Sequence, residues 1–110
     1  MKNVVFIFST AEEDKLFSGM TYAKNALKNK WFNDIKIFLF GPSEKTVVNS
    51  EKLRKILEEL EQLGAFTTAC KALSEKIDIS KELLSAGIKV DFVGEPISQL
   101  IDSGYIPLIY

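Results

Sequence analysis

Five short apolar runs alternate with helical patterns along this chain, and that alternation constrains the fold more than any other feature. Val4-Val5-Phe6-Ile7-Phe8 is continuously apolar, and Asp34-Ile35-Lys36-Ile37-Phe38-Leu39-Phe40 is nearly so. Short runs rich in branched and aromatic residues suit strands buried on both faces, as in parallel sheets. Three later segments share one form, a glycine followed by a β-type run: Gly64 to Cys70, Gly87 to Val93 and Gly104 to Tyr110. Each glycine fits the position just past a helix end, where a left-handed backbone costs it little.

Helical patterns lie between these runs. Thr10-Ala11-Glu12-Glu13 fits a capping box, with Thr10 as the cap and Glu13 reaching back to its backbone. The helix that follows puts Leu16, Met20, Ala23, Leu27 and Trp31 near one stripe. Ser50 is the expected cap of a second helix carrying Leu53, Ile56, Leu57, Leu60 and Leu63 at three- and four-residue steps. Ser80 is the expected cap of a short piece ending at Ala86, and Pro96 fits the first turn of a last helix running to Ser103. The alternation predicts a three-layer α/β/α sandwich around a five-stranded parallel sheet, with residues 1–110 as a single domain. Pro107 in the fifth strand cannot donate to a ladder, and the fourth strand alternates Lys89 and Asp91 with Ile88, Val90 and Phe92. Both therefore belong at sheet edges, and the first strand is expected at the centre.

Charge and composition narrow the function. Lys and Arg number 14 against 15 Asp and Glu, for a net charge of -1, with no basic cluster. Neither nucleic acid nor an anionic membrane surface is an expected partner. No apolar stretch reaches the roughly 18 residues of a membrane span, and the opening run is shorter than a signal-peptide core of about 7–15 residues. The expected compartment is the cytoplasm, and one cysteine without an internal partner agrees with a reducing environment. There is no histidine, so a Ser-His-Asp triad, a Cys-His pair and an imidazole metal site are all excluded within the chain. Neither a cofactor nor a metal is expected, since no G-x-G-x-x-G or phosphate-loop motif occurs.

In open parallel sheets, ligands bind beyond the carboxyl ends of the strands. Those ends supply the pocket candidates Ser9, Thr10, Gly41, Pro42, Lys71, Gly94 and Glu95, with Ser43 nearby and Cys70 among them. The hydroxyls of this set are accounted for by helix capping. Cys70 alone carries distinctive chemistry. A free cysteine most often packs as a small apolar side chain. Here it falls between the strand Ala65 to Ala69 and good helix formers from Lys71 onward. Backbone N–H groups at that junction, with Lys71 and Lys76, would favour the nucleophilic thiolate. Cys70 is therefore expected in a pocket at the carboxyl edge of the sheet, at least partly open to solvent.

The segments Ala69-Cys70-Lys71-Ala72-Leu73, Ala86-Gly87-Ile88-Lys89-Val90 and Ser103 to Tyr110, with the opening strand and long first helix, resemble the DsrE/DsrF/DsrH-like family. The resemblance covers nearly the whole chain through loose motifs. It implies a five-stranded parallel sheet, homo- or hetero-oligomers, and a cysteine at the Cys70 position that carries sulfur as a persulfide between donor and acceptor proteins. The chain departs from the relay subunits in lacking an arginine-glycine turn after that cysteine, where Lys-Ala-Leu-Ser-Glu-Lys follows. It looks closer to a stand-alone branch of the family.

Three roles compete. In the first, Cys70 is the catalytic residue of a sulfur carrier, with Glu95 or a backbone N–H orienting the persulfide. In the second, the chain is a non-catalytic ligand-binding or assembly module and Cys70 is packing. In the third, Cys70 is a peroxidatic thiol, which is weaker because the chain has no resolving cysteine. Mean hydropathy of +0.06, with the large rings of Tyr22, Trp31, Phe32 and Tyr110, predicts a homo-oligomer, a dimer or trimer.

Overall fold

The computed structural model describes residues 1–110. The elements run β1 (Asn3–Phe8), α1 (Glu13–Lys28), β2 (Asp34–Leu39), α2 (Ser43–Val48), α3 (Glu51–Gln62), β3 (Thr67–Cys70), α4 (Lys71–Lys76), α5 (Ser80–Ser85), β4 (Lys89–Asp91), α6 (Gly94–Asp102) and β5 (Ile106–Ile109). All five strands are parallel, in the order β4-β3-β2-β1-β5. The edges are the two strands expected there. The centre is not: β2 holds the middle and β1 lies between β2 and β5. Both carry apolar runs fit for burial on two faces, so hydrophobicity does not rank them. The return of β5 to the free side of β1, with Phe6 level with both Ile37 and Leu108, sets the order.

Alternation along the strands divides the core between two faces. Val4, Phe6 and Phe8 of β1 and Ile35, Ile37 and Leu39 of β2 point to one side, where Leu16, Met20 and Ala23 of α1, Leu53, Leu57 and Leu60 of α3 and Leu83 of α5 cover them. Val5, Phe38 and Cys70 point to the other, under Val93 and Ile97, with Leu73 of α4 and Leu100 of α6 packed alongside. No helix is long and apolar enough to cross a membrane.

Local signals were met unevenly. Ser50 caps α3, its Oγ accepting the Leu53 N–H at 3.2 Å. Gly64, Gly87 and Gly104 take φ of +97°, +79° and +94° at their helix ends. The box at Thr10 does not form. It would need the Thr10 N–H free for Glu13, but the Tyr110 carbonyl accepts that N–H at 3.1 Å. Thr10 Oγ1 instead accepts from Glu12, and α1 starts at Glu13 without a side-chain cap. Ser80 is the first residue of α5 rather than its cap, its hydroxyl spent on Ser74 at 2.6 Å. Trp31 lies beyond the end of α1, half exposed against the Tyr22 ring.

Candidate functional site

The carboxyl edge of the sheet is shaped by the turn from β2 into α2. Gly41 has φ +118°, and a Cβ there would stand 2.9 Å from the Ser9 hydroxyl and 3.2 Å from its carbonyl oxygen. Only glycine fits both the conformation and the space. The turn is strapped to the exit of β1: Phe40 N–H donates to the Phe8 carbonyl at 2.9 Å, Ser43 N–H to Ser9 at 3.0 Å, and the Ser43 hydroxyl to Phe8 at 2.5 Å. At its far end, the Arg54 guanidinium donates to the carbonyls of Val47 and Val48, satisfying acceptors that a helix end leaves free.

This strapping turns one face of α2 inward and buries Glu44 completely, at 0% exposure. Neither carboxyl oxygen completes a hydrogen bond. Loss of hydration pushes its pKa up, to about 7. The backbone N–H groups of Gly41 and Cys70 face the carboxyl and pull the other way, without reversing the shift. A carboxylic acid that ionises near neutrality is suited to proton transfer.

Cys70 ends β3 and precedes the first turn of α4. Its side chain joins the smaller cluster of Val5, Phe38, Val93 and Ile97, and the residue is 7% exposed. The partly open thiol expected from sequence is thus a buried one. Strand alternation explains this: the residue two before it, Thr68, faces the same side, and Val93 and Ile97 close over the strand end. A cleft of about 670 Å³ opens between α2 and α4, lined by Gly41, Pro42, Lys45, Thr46, Leu73 and Lys76 among others. Cys70 is not among its lining residues.

The predicted pocket residues therefore separate. Gly41 and Pro42 line the cleft. Ser9 lies against Gly41, and Thr10 is tied to Tyr110 and Glu12. Lys71 turns away, with its ammonium 3.8 Å from Glu75 and over the Phe92 ring. Gly94 opens α6, and Glu95 accepts from Gln99 at 3.1 Å on the exposed side of that helix. No group of three or more acidic, cysteine or histidine side chains is placed to hold a metal ion. The residue that sequence reasoning missed is Glu44. Its signal was the spacing Glu44, Val47, Val48, which sets the carboxyl on the apolar stripe of a short helix.

No family model matches the chain, and no curated protein does. Solved structures do. A conserved protein of unknown function from Bacteroides thetaiotaomicron superposes with a TM-score of 0.91 at 25% identity, over 99% of this chain and 95% of that one. The YchN protein of E. coli gives 0.81 at 19% identity over the full length of both chains. A protein of unknown function from Methanobacterium thermoautotrophicum gives 0.78 at 16% identity, again over both full lengths. The fold is thus that of a set of small α/β proteins of about this length.

Proposed function

We propose that this chain is a sulfur carrier of the DsrE-like kind, in which Cys70 holds sulfur as a persulfide and passes it to an acceptor thiol. The observation that supports this role is the placing of the only thiol where β3 ends and α4 begins, at the carboxyl edge of the sheet. The burial of Cys70 suits a persulfide, whose terminal sulfur is easily lost to stray thiols and oxidants. It also requires Val93 and Ile97 to move aside during loading.

The test is mass measurement of the intact protein after incubation with sodium polysulfide. Wild type should gain one sulfur atom and Cys70→Ser none. A second role, a non-catalytic module, is favoured by the apolar neighbours of Cys70, Val5, Phe38, Val93 and Ile97. Absence of added sulfur, with a thiol that reacts only after denaturation, would select it.

The same proposal includes assembly as a homo-oligomer. On the face of the smaller cluster, Ile109 of the β5 edge is 68% exposed beside half-buried Ile7, its neighbour in register. An uncovered apolar sheet edge is suited to a second copy. Sedimentation should show a dimer or trimer, and a species of only 12.4 kDa at micromolar concentration would end the idea.

A further inference from the structure

The cleft between α2 and α4 does not include Cys70, yet it is a built feature of the carboxyl edge. Crevices at the carboxyl ends of parallel strands are where ligands bind. In the order β4-β3-β2-β1-β5 the chain reverses its course across the sheet at β1. The N–H groups at the β1 exit are already taken there: Ser9 and Thr10 both donate to the Tyr110 carbonyl, at 2.7 and 3.1 Å. The open space lies between the helices that follow β2 and β3. Its α2 wall is fixed at two points. The Gly41 turn is strapped to β1, and the Thr46 hydroxyl donates to the Ala11 carbonyl at 2.8 Å. A volume of about 670 Å³ falls within the range of about 300–1,000 Å³ usual for small-molecule sites.

The charges of the cleft are unbalanced. Its only acid is Glu13, which Lys52 compensates from 3.6 Å. Its two cations, Lys45 of α2 and Lys76 of α4, make no ion pair. Lys71, also on α4, is by contrast held by Glu75 at 3.8 Å. Two free ammoniums from two different helices therefore share one recess. Below them the walls are apolar, from Ala11, Pro42, Leu73 and Ile77. Ile77 is 46% exposed at the end of α4, an apolar surface that water covers poorly.

These two properties name a ligand class. A bare inorganic anion would leave the apolar walls wet, and a wholly apolar molecule would gain nothing from the ammoniums. A cation is repelled by both lysines. We propose that the cleft is a binding site for a small organic anion with an apolar body. Its carboxylate, sulfonate or phosphate group pairs with Lys45 and Lys76, and its ring or alkyl part covers Leu73 and Ile77. Lysine is a point charge on a flexible stem, so the pair selects for charge rather than for the planar shape of one acid. The site stands apart from the sulfur-carrier role and does not depend on it.

The experiment uses 8-anilinonaphthalene-1-sulfonate, an apolar ring system with one anionic group, titrated by fluorescence into the native protein. It should bind saturably, one molecule per chain. N-phenyl-1-naphthylamine, the same rings without the sulfonate, should bind about tenfold more weakly, and inorganic phosphate should not compete below millimolar concentration. Lys45→Met and Lys76→Met should each weaken the sulfonate about threefold, and the double variant about tenfold. Neither change should affect the neutral probe, and added salt should weaken the sulfonate alone. Lys89→Met, on the β4 edge away from the cleft, should change nothing. Backbone amide NMR of the wild type locates the probe without any variant. The signals of Ala11, Thr46, Leu73 and Ile77 should move together on titration. Equal affinity for the two probes, lysine variants that bind as wild type, or shifts centred instead on exposed Phe66 and Phe92 would each overturn the proposal. So would a cleft that refuses the sulfonate while the Lys76 and Ile77 signals move with protein concentration, since a second copy would then be its occupant.

Discussion

The two faces of the sheet differ in depth. The face under α1, α3 and α5 buries 19 residues in one apolar cluster, whereas the face under α6 and α4 buries 5. The thick side is filled by apolar side chains at strand and helix periods, with the Tyr110 ring packed against them. The thin side contains the only thiol and leaves Ile109 in the open. The difference teaches where stability and reactivity lie in so small a protein. A deep cluster holds the sheet together, so the shallow side and the carboxyl edge are free to carry groups that a core would reject. Glu44 lies at the seam between the two, reached by the α2 turn from β2.

The comparison is open to direct attack by truncation. Phe6 is fully buried on the thick face, with the Phe8 and Tyr110 rings at 5.8 and 6.3 Å. Phe6→Ala should cost about 4 kcal/mol in urea unfolding, from lost transfer energy and the cavity left behind. On the thin face, Ile97→Ala should cost about 2 kcal/mol, the low end for such a truncation. Equal losses at the two positions would break the assignment of stability to the thick side.

The seam itself predicts a pH effect of nearly that size. Glu44 has its folded-state pKa raised from 4.5 to about 7, so the folded chain holds this proton more tightly than the unfolded one. Its contribution to stability is fully present below pH 4.5 and is lost as pH rises through 7. The complete loss amounts to about 3 kcal/mol. Urea melts of wild type should therefore weaken between those values relative to Glu44→Gln, which cannot ionise. Parallel pH profiles for the two proteins would show that the carboxyl is hydrated after all.

A smaller effect separates close packing from mere proximity on the thick face. Gly19 of α1 is buried against β1, and a Cβ there would stand 2.7 Å from Phe8 Cε1 and 3.0 Å from the Tyr110 ring. Gly19→Ala should gain helix propensity but lose about 1–2 kcal/mol net, because two packed rings must shift. A net gain in stability would mean that the rings give way freely and the thick face is looser than its burial suggests.

Much of this was legible beforehand, for reasons that particular residues make plain. Pro107 and the Lys89–Asp91 alternation named the edges, because ladder donors and wet faces are local properties. The order of β1 and β2 was not local; it depends on which side β5 returns to. Cys70 could be placed at a strand end from the Gly64-to-Cys70 run, but its burial depends on Val93 and Ile97, which arrive from another part of the chain. Glu44 was hidden twice over. Glutamate is expected at the surface, and α2 is only six residues long, too short for its stripe to stand out from a loop.

The capping residues carry the smallest predicted effect, and it tests the same thick face where sequence and structure disagree most sharply. Two caps were expected there from equally good patterns, Thr10 before α1 and Ser50 before α3. Ser50 is 4% exposed and accepts the Leu53 N–H at 3.2 Å, so Ser50→Ala leaves a buried donor without a partner. That change should cost about 1 kcal/mol. Thr10 accepts only from Glu12, outside the helix, and its own N–H is held by Tyr110 whatever its side chain is. Thr10→Ala should therefore cost well under about 0.5 kcal/mol, the range of an ordinary surface change. Urea midpoints of the two variants, measured side by side, decide the matter. A loss at Thr10 as large as that at Ser50 would mean that the capping box forms in solution and that α1 begins nearer the β1 exit than Glu13.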